Sequence, residues 1–272
     1  MQEITSRHNR LIMRACSLKQ KKGRQQEQHV LVEGWRLIMD ALQQGIRQGI
    51  CFIVDTEKTT AHTALYTRGK ELQWQFFRVS TSVYQKLQMT SSSQGIIAML
   101  PFFNHTLAEA ETLQLLQPVV YLQDIQDPGN VGTIIRTAAA CDVGAILLSP
   151  NCVDIYNDKV WRSAMGAMFK ILVISHVDED MLQSFCQHTT RRLVAAAAGA
   201  ACSYEKMNYK QPFVWAFGNE GNGLSPLFMQ RCEETVTIPM CVNTESLNVA
   251  ISAGLILYKA WEMNGFSYEG GA

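Results

Sequence analysis

The chain has 272 residues, 47% of them hydrophobic, and a formal net charge of zero, which is enough apolar material for one large or two ordinary folded domains. This composition excludes a disordered or fibrous chain, and no run reaches the roughly 18 apolar residues that span a bilayer. The start, MQEITSRHNR, lacks an apolar signal core. The eight cysteines form no Cys-x-x-Cys pair and have no histidine at zinc-finger spacing, so we expect no metal site and a reduced, cytoplasmic protein without membrane attachment.

The charge is divided unevenly along the chain. Residues 1–105 contain 14 Lys and Arg against 7 Asp and Glu, a net charge of +7, and the remainder has a net charge of −7. This is the pattern of a nucleic-acid-binding module joined to another domain, with a solvated and flexible amino terminus as the alternative. The candidate contacts to nucleic acid are Arg7, Arg10, Lys21, Lys22 and Arg24.

The front half predicts a small α/β domain over residues 1–105. Apolar spacing indicates a helix over residues 7–19, and the polar residues 19–28 then read as a loop. A second helical pattern follows the first strand and stops at Gly45. We expect strands at 29–34, 51–55, 76–80 and 95–100, and a helical linker over 106–117.

The back half, residues 118–272, alternates again between strand and helix patterns and predicts a second α/β domain. A helix is expected over 133–144, and the chain closes with a helix through SLNVAISAGLILYKAW. Along that helix Leu247, Ile251, Leu255 and Tyr258 recur at helical spacing and predict one apolar face. The expected strands are 119–124, 145–150, 193–198, 213–218 and 235–240.

Three loops of this half, DPGNVG (127–132), GNEGNGLS (218–225) and CVNTESLN (241–248), are rich in Gly, Asn, Ser and Glu. Ligands of open α/β sheets bind beyond the carboxyl ends of strands, and glycine lets the backbone approach them closely. Neither a G-x-G-x-x-G nor a P-loop pattern occurs. The loops therefore suggest a pocket for a nucleoside or cofactor, although chain turning alone explains any one of them.

At these residues the sequence resembles the SpoU (TrmH-type) branch of the SPOUT RNA methyltransferases. Its three motifs occur here in order, as DPGNVGTIIRTA (127–138), GNEGNGLS (218–225) and IPMCVNTESLNV (238–249). The basic segment that leads into HVLVEGWRLIMDAL (29–42) also resembles the substrate-binding domain that often precedes this catalytic domain.

The resemblance implies an α/β fold in which a substrate-binding domain precedes a carboxy-terminal SPOUT domain with a deep trefoil knot. It also implies a homodimer packed around the knot. S-adenosylmethionine is expected in the knot loops, with its adenosine part held by backbone groups of Gly218, Ile238 and Leu247.

By the same resemblance the catalytic residues are Asn130, Arg136, Glu220, Ser246 and Asn248. A ribose 2′-hydroxyl must be oriented and must lose its proton during methyl transfer. Proposals for this family make the arginine the base. Because a guanidinium keeps its proton in almost any environment, Arg136 is equally suited to pin the adjacent phosphate. Ser246 and Asn248 also fit the cap of the last helix, and Glu220 fits a loop-capping role.

One position departs from the motif: Val242 stands where the family usually has glycine, and a side chain there is expected to narrow the cofactor pocket or to alter the path of the loop. The expected activity is methyl transfer to a ribose 2′-hydroxyl of structured RNA, with ribosomal RNA favoured. The alternatives are transfer RNA as substrate, a catalytically weak RNA-binding member of the fold, and methylation of a base nitrogen.

Overall fold

The computed structural model describes residues 1–54, 60–91, 94–242 and 244–268, and the chain divides into two compact units. The front unit consists of Met1–Phe103 together with Tyr156–Arg162, and the back unit of Asn104–Ile155 with Ser163–Ala272. The division at residue 103 lies close to the predicted domain end. The membership of 156–162 in the front unit was not predicted.

The front unit is built on a mixed five-stranded sheet in the order β1-β4-β3-β5-β2. β2 and β3 run antiparallel to β5, whereas β1 and β3 run parallel to β4. The predicted strands of this half are confirmed, and β1 was missed. The strands are β1 Gln2–Ile4, β2 His29–Glu33, β3 Ile50–Ile53, β4 Gln75–Val79 and β5 Ile96–Pro101, and the helices are α1 Arg10–Ser17, α2 Lys21–Glu27, α3 Trp35–Gln43, α4 Thr60–Glu71 and α5 Thr81–Leu87.

The segment predicted as a loop at 19–28 is instead helix α2, so that prediction was wrong. Arg24 explains why: its side chain is buried, and its guanidinium donates to the carbonyl oxygens of Leu18 and Lys19. This contact folds α2 back onto the end of α1 without any apolar periodicity. Arg24 is therefore not exposed to nucleic acid, whereas Lys21 and Lys22 are.

An aromatic cluster explains why residues 156–162 belong to the front unit. The rings of Phe102 and Tyr156 stack with 3.6 Å between centroids, and the Tyr156 hydroxyl donates to the Phe103 carbonyl oxygen. Trp161 packs edge-on against Phe103. Contacts of this kind depend on tertiary folding and leave no periodic signal in the sequence.

The back unit is built on seven parallel strands in the order β10-β12-β9-β11-β6-β7-β8. The five predicted strands are confirmed, and β8 and β10 were missed. The trefoil knot stays a prediction. The strands are β6 Val119–Leu122, β7 Ala145–Leu148, β8 Leu172–Ile174, β9 Arg192–Ala196, β10 Cys202–Ser203, β11 Phe213–Phe217 and β12 Glu234–Thr237, and the helices are α6 Leu107–Glu111, α7 Pro128–Ala140, α9 Glu179–Thr189, α10 Pro226–Arg231 and α11 Val249–Met263. Helix α8, Asp158–Ala164, begins in the segment that belongs to the front unit and ends in the back unit.

DPGNVG forms the start of a helix, not the loop that its glycines predicted. Asp127 caps α7 by accepting a 2.8 Å hydrogen bond from the backbone N–H of Asn130, and Pro128 occupies the first helical turn. An acidic cap followed by proline is a common way to begin a helix. The first motif therefore presents its side chains from a rigid helical turn.

Helix α11 buries a face different from the apolar stripe that its sequence suggests. Its buried residues are small or aliphatic, namely Val249, Ala250, Ala253, Ile256, Leu257 and Ala260. The predicted stripe is exposed, at 54% for Ile251, 41% for Leu255 and 48% for Tyr258. Helix α11 therefore has two apolar faces, and the back unit covers only one of them.

All eight cysteines are free thiols. Over the described ranges, no group of three or more His, Cys, Asp or Glu is arranged to hold a metal ion, and no helix is both long and apolar enough to cross a bilayer.

Candidate active site

A cavity of about 490 Å³ opens at the carboxyl ends of the back-unit strands. The loop after β11 and the segment after β12 form most of its wall. Its volume falls within the range of roughly 300–1,000 Å³ that is usual for small-molecule sites. The wall-forming residues include Gly218 to Leu224, Ile238, Met240, Glu245, Ser246 and Leu247.

Three residues from the three motifs form a hydrogen-bonded cluster. The side-chain amide of Asn130 donates to Glu220 Oε1 at 2.8 Å, and its carbonyl oxygen accepts a 2.9 Å hydrogen bond from Asn248 Nδ2. Asn248 also caps α11, because its Oδ1 accepts hydrogen bonds from the backbone N–H groups of Ala250 and Ile251. One asparagine therefore connects the first motif to both of the others.

The five residues expected to be catalytic divide into three groups. Glu220 and Ser246 line the cavity, and Asn130 and Asn248 join the hydrogen-bonded cluster. Arg136 lies further along α7, is exposed, and has no hydrogen-bond or ion-pair partner among the described residues. An exposed cation without a partner keeps all of its donors available for a ligand.

The three residues expected to hold the cofactor, Gly218, Ile238 and Leu247, all line the cavity. Gly218 permits an unusually close approach of the backbone. A Cβ atom there would fall 2.5 Å from the carbonyl oxygen of Gly223 and against the backbone nitrogen of Leu224. Only glycine fits between these two parts of the loop.

Val242 does not affect the cavity in the way its departure from the motif suggested. Its side chain is 90% exposed and is not among the lining residues. The expected narrowing of the pocket is therefore wrong for this structure, because the Val242 side chain projects away into solvent.

Sequence reasoning missed part of the wall. Ala196, the last residue of β9, lines the cavity together with Ala197 and Ala198 that follow it, as do Asn219 and Glu245. The available signal was the alanine run itself, since small side chains just beyond a strand leave room for a ligand.

The charges on the cavity wall have one sign. Glu220 and Glu245 contribute carboxylates, and no Lys or Arg occurs among the described lining residues. A pocket of this kind favours a ligand with a positive charge.

Comparisons with known proteins agree with the resemblance of the motifs. A model of the SpoU rRNA Methylase family matches residues 117–258, and a model of an MRM3-like substrate binding domain matches residues 9–98. An uncharacterised tRNA/rRNA methyltransferase of Synechocystis is 34% identical over 262 residues, which cover 94% of this chain and 92% of the relative.

Two further proteins are similar over nearly their whole length. The Bacillus subtilis enzyme RlmP, a 23S rRNA (guanosine(2553)-2′-O)-methyltransferase, is 29% identical over 264 residues, with 95% of this chain and 98% of the relative covered. The crystal structure of an AdoMet-bound rRNA methyltransferase from Sinorhizobium meliloti superposes with a TM-score of 0.86 at 25% identity, covering 96% of this chain and 97% of that one.

Proposed function

Because this chain belongs to the SpoU rRNA methylase family, we propose that it transfers the methyl group of S-adenosylmethionine to a ribose 2′-hydroxyl of structured ribosomal RNA. The chain is an RNA 2′-O-methyltransferase. The observation that carries the assignment of its site is the cluster of Asn130, Glu220 and Asn248, which joins all three motifs beside one cavity.

The cavity fits the methyl donor in size and in charge. When bound, S-adenosylmethionine supplies an electrophilic methyl group on a positively charged sulfonium. The carboxylates of Glu220 and Glu245 stabilise such a cation, and no described lining residue opposes it. Backbone groups of Gly218, Ile238 and Leu247 hold the adenosine part in this proposal.

Asn130, Glu220, Ser246 and Asn248 orient the ribose in this proposal. The amide of Asn130 holds the Glu220 carboxylate at a fixed distance, and the capping of α11 by Asn248 fixes the other end of the cluster. Preorganised hydrogen-bonding groups of this kind lower the barrier because they need no reorganisation during the reaction.

Arg136 binds the phosphate next to the target ribose. Its guanidinium is exposed and unpaired among the described residues, and its planar fork matches two phosphate oxygens at once. A fixed phosphate places the 2′-hydroxyl in line with the methyl group. The proton of the hydroxyl then passes to a carboxylate or to water, because a guanidinium does not accept it.

The front unit supplies the RNA contacts, and the RNA is ribosomal. Its exposed cations include Arg7, Arg10, Lys21 and Lys22, whereas Arg24 is excluded by its burial. Two observations support a ribosomal substrate: the match to the substrate-binding family model, and the ribosomal target named for the Bacillus relative. We place the enzyme in the cytoplasm because the Bacillus relative acts on ribosomal RNA in a bacterium, where ribosomes lie in the cytoplasm.

The functional form is a homodimer. Ile251, Leu255 and Tyr258 lie on one face of α11 and are exposed, and Leu247, just before this helix, is also partly exposed. A contiguous apolar surface on a monomer commonly marks a protein interface. A second copy of the same helix matches its chemistry.

The proposed activity is tested by incubating the protein with tritiated S-adenosylmethionine and ribosomal RNA, then digesting the RNA to nucleosides for mass spectrometry. We expect label in 2′-O-methylnucleosides. If only transfer RNA is labelled, the proposed ribosomal substrate is wrong. If the label is on a base, the proposed 2′-hydroxyl target is wrong. RNA binding without cofactor binding in calorimetry would identify the chain as a binding member of the fold.

A further inference from the structure

We infer that Asn219 is a positioning residue that fixes Glu220 against Asn130. This inference rests on the proposed function, because it concerns the site where methyl transfer occurs. Asn219 lies in the wall of the cavity, yet its side-chain amide is committed to contacts within the protein. It therefore acts through its neighbours.

The oxygen of the Asn219 side chain closes the turn that carries Glu220. Oδ1 accepts hydrogen bonds from the backbone N–H groups of Gly221 at 2.9 Å and Asn222 at 3.3 Å. The backbone carbonyl of Asn219 accepts a third, from Gly223 at 2.8 Å. Glu220 is thus enclosed between residues that one asparagine holds together.

The nitrogen of the same side chain anchors this turn to the end of β6. Nδ2 donates a 2.9 Å hydrogen bond to the carbonyl oxygen of Asp124. Asp124 is itself fixed by Ser149, which is buried: Ser149 Oγ accepts from the Asp124 backbone N–H and donates to its carboxylate at 2.6 Å. The anchor point therefore belongs to the rigid end of two paired strands.

The anchor at Asp124 is close in sequence to Asn130, the residue that binds Glu220 in the hydrogen-bonded cluster. Three residues after Asp124, the side chain of Asp127 caps α7 at the backbone N–H of Asn130. Both ends of the hydrogen bond between Asn130 and Glu220 are consequently held by the same short segment. Loss of the Nδ2 contact frees one end and leaves the other in place.

The two halves of the amide can be separated by mutation. Asn219→Asp keeps the oxygen that closes the turn and removes the donor to Asp124, whereas Asn219→Ala removes both. Asn208→Ala is the matched control, because Asn208 is an exposed asparagine whose Oδ1 accepts from Lys210 N–H two residues on, outside the cavity. The measurements are S-adenosylmethionine affinity by calorimetry, kcat and KM on RNA, and thermal unfolding.

We expect Asn219→Asp to bind S-adenosylmethionine nearly as well as the native protein while its kcat falls about tenfold or more, the usual effect of losing one hydrogen bond. Asn219→Ala should lose both cofactor affinity and kcat, and Asn208→Ala neither. If Asn219→Ala fails to fold, the Asn219→Asp variant by itself still tests the inference.

A native kcat in Asn219→Asp would overturn the inference. Parallel losses of affinity, kcat and melting temperature in that variant would also overturn it, because they would indicate a purely structural residue. If the native protein itself binds no S-adenosylmethionine, the proposed function fails. If the native protein binds S-adenosylmethionine and methylates RNA but Asn219→Asp has an equal kcat, only the positioning role of Asn219 is refuted and the proposed function stands.

Discussion

The side-chain amide of Asn130 donates a 2.8 Å hydrogen bond to the carboxylate of Glu220, which lies 90 residues later in the chain. Asn130 belongs to the first turn of a capped helix and Glu220 to a tight glycine-containing loop. The contact therefore connects two rigid supports, and its length is set by the fold. In the proposed mechanism, a carboxylate held in this way loses little entropy when RNA binds.

Asn130→Ala should lower kcat about 10- to 100-fold, because it leaves the Glu220 carboxylate without its donor and Asn248 without its acceptor. S-adenosylmethionine affinity should change little, since Asn130 does not line the cavity. Methyl transfer to RNA and calorimetry with the cofactor measure the two effects. Unchanged kcat would remove Asn130 from the catalytic group.

Arg136→Ala should lower methyl transfer at least about 100-fold, the usual cost of losing a group that stabilises or orients the reacting atoms. The melting temperature should not fall, because the described structure gives Arg136 no partner to lose. Arg231→Ala is the control: Arg231 is a surface arginine of the same unit that pairs with Glu179 and Asp180. Equal activities of the two variants would refute the role of Arg136.

Gly218→Ala should weaken cofactor binding about tenfold or more, since the displaced backbone carries strain of order 1–3 kcal/mol. The added methyl group would meet the backbone of Gly223 and Leu224. Gly221→Ala serves for comparison: a methyl group there meets only Asn219 Oδ1 at 3.4 Å, so its loss of affinity should be much smaller. Calorimetry measures the affinity of both variants for S-adenosylmethionine. A larger loss of affinity in Gly221→Ala than in Gly218→Ala would contradict the steric argument.

Leu255→Glu should weaken self-association about 100-fold or more, because it places an unpaired charge in the apolar stripe of α11. Leu227→Glu is the control, since Leu227 is 73% exposed on α10 and lies outside the stripe. Sedimentation or light scattering over a range of concentrations gives the molar mass. A native protein that stays monomeric at high concentration excludes this interface.

Lys21→Glu with Lys22→Glu should weaken RNA binding and flatten its dependence on salt by roughly one unit of slope per lost phosphate contact. Both lysines are exposed on α2. Lys206→Glu with Lys210→Glu, two exposed lysines of the back unit, changes the net charge by the same amount and is the control. An unchanged salt slope in the double variant would show that α2 does not contact RNA.

Much of the fold could be predicted because buried strands leave a local signal. β2, β6 and β11 each contain a continuous apolar run, namely VLV, VVYL and FVWAF, and a Gly or Asp follows within two residues of each strand's end. β8 has only three residues and was missed, since so short a run is ambiguous.

The predictions that failed did so because contacts formed by tertiary folding decide the structure at those residues. Arg24 is buried by contacts with carbonyl groups, although its charge suggested a surface position. The segment 156–162 joins the front unit through ring stacking at Tyr156. Neither effect produces periodicity, so no reading of a single sequence detects it.

The sequence predicts which residues belong to the site better than it predicts the contacts between them. Gly218, Ile238 and Leu247 line the cavity as the motifs implied. That Asn130 bonds Glu220 and Asn248 could not be read from the sequence, because the contact depends on how three distant segments pack. Ala197 and Ala198 fall within the strand predicted at 193–198, so that prediction did not mark them as part of the cavity wall.

Leu247 lines the cavity, is 36% exposed and lies two residues before α11, the helix that carries the stripe of Ile251, Leu255 and Tyr258. In the proposed homodimer, a second copy that covers the stripe holds the start of α11 and with it the proposed cofactor-binding segment that leads into the helix. Subunit association and cofactor uptake then become thermodynamically linked, and each strengthens the other by the same factor. On dilution, such an enzyme releases its partner and its methyl donor together, so that activity per molecule rises with enzyme concentration.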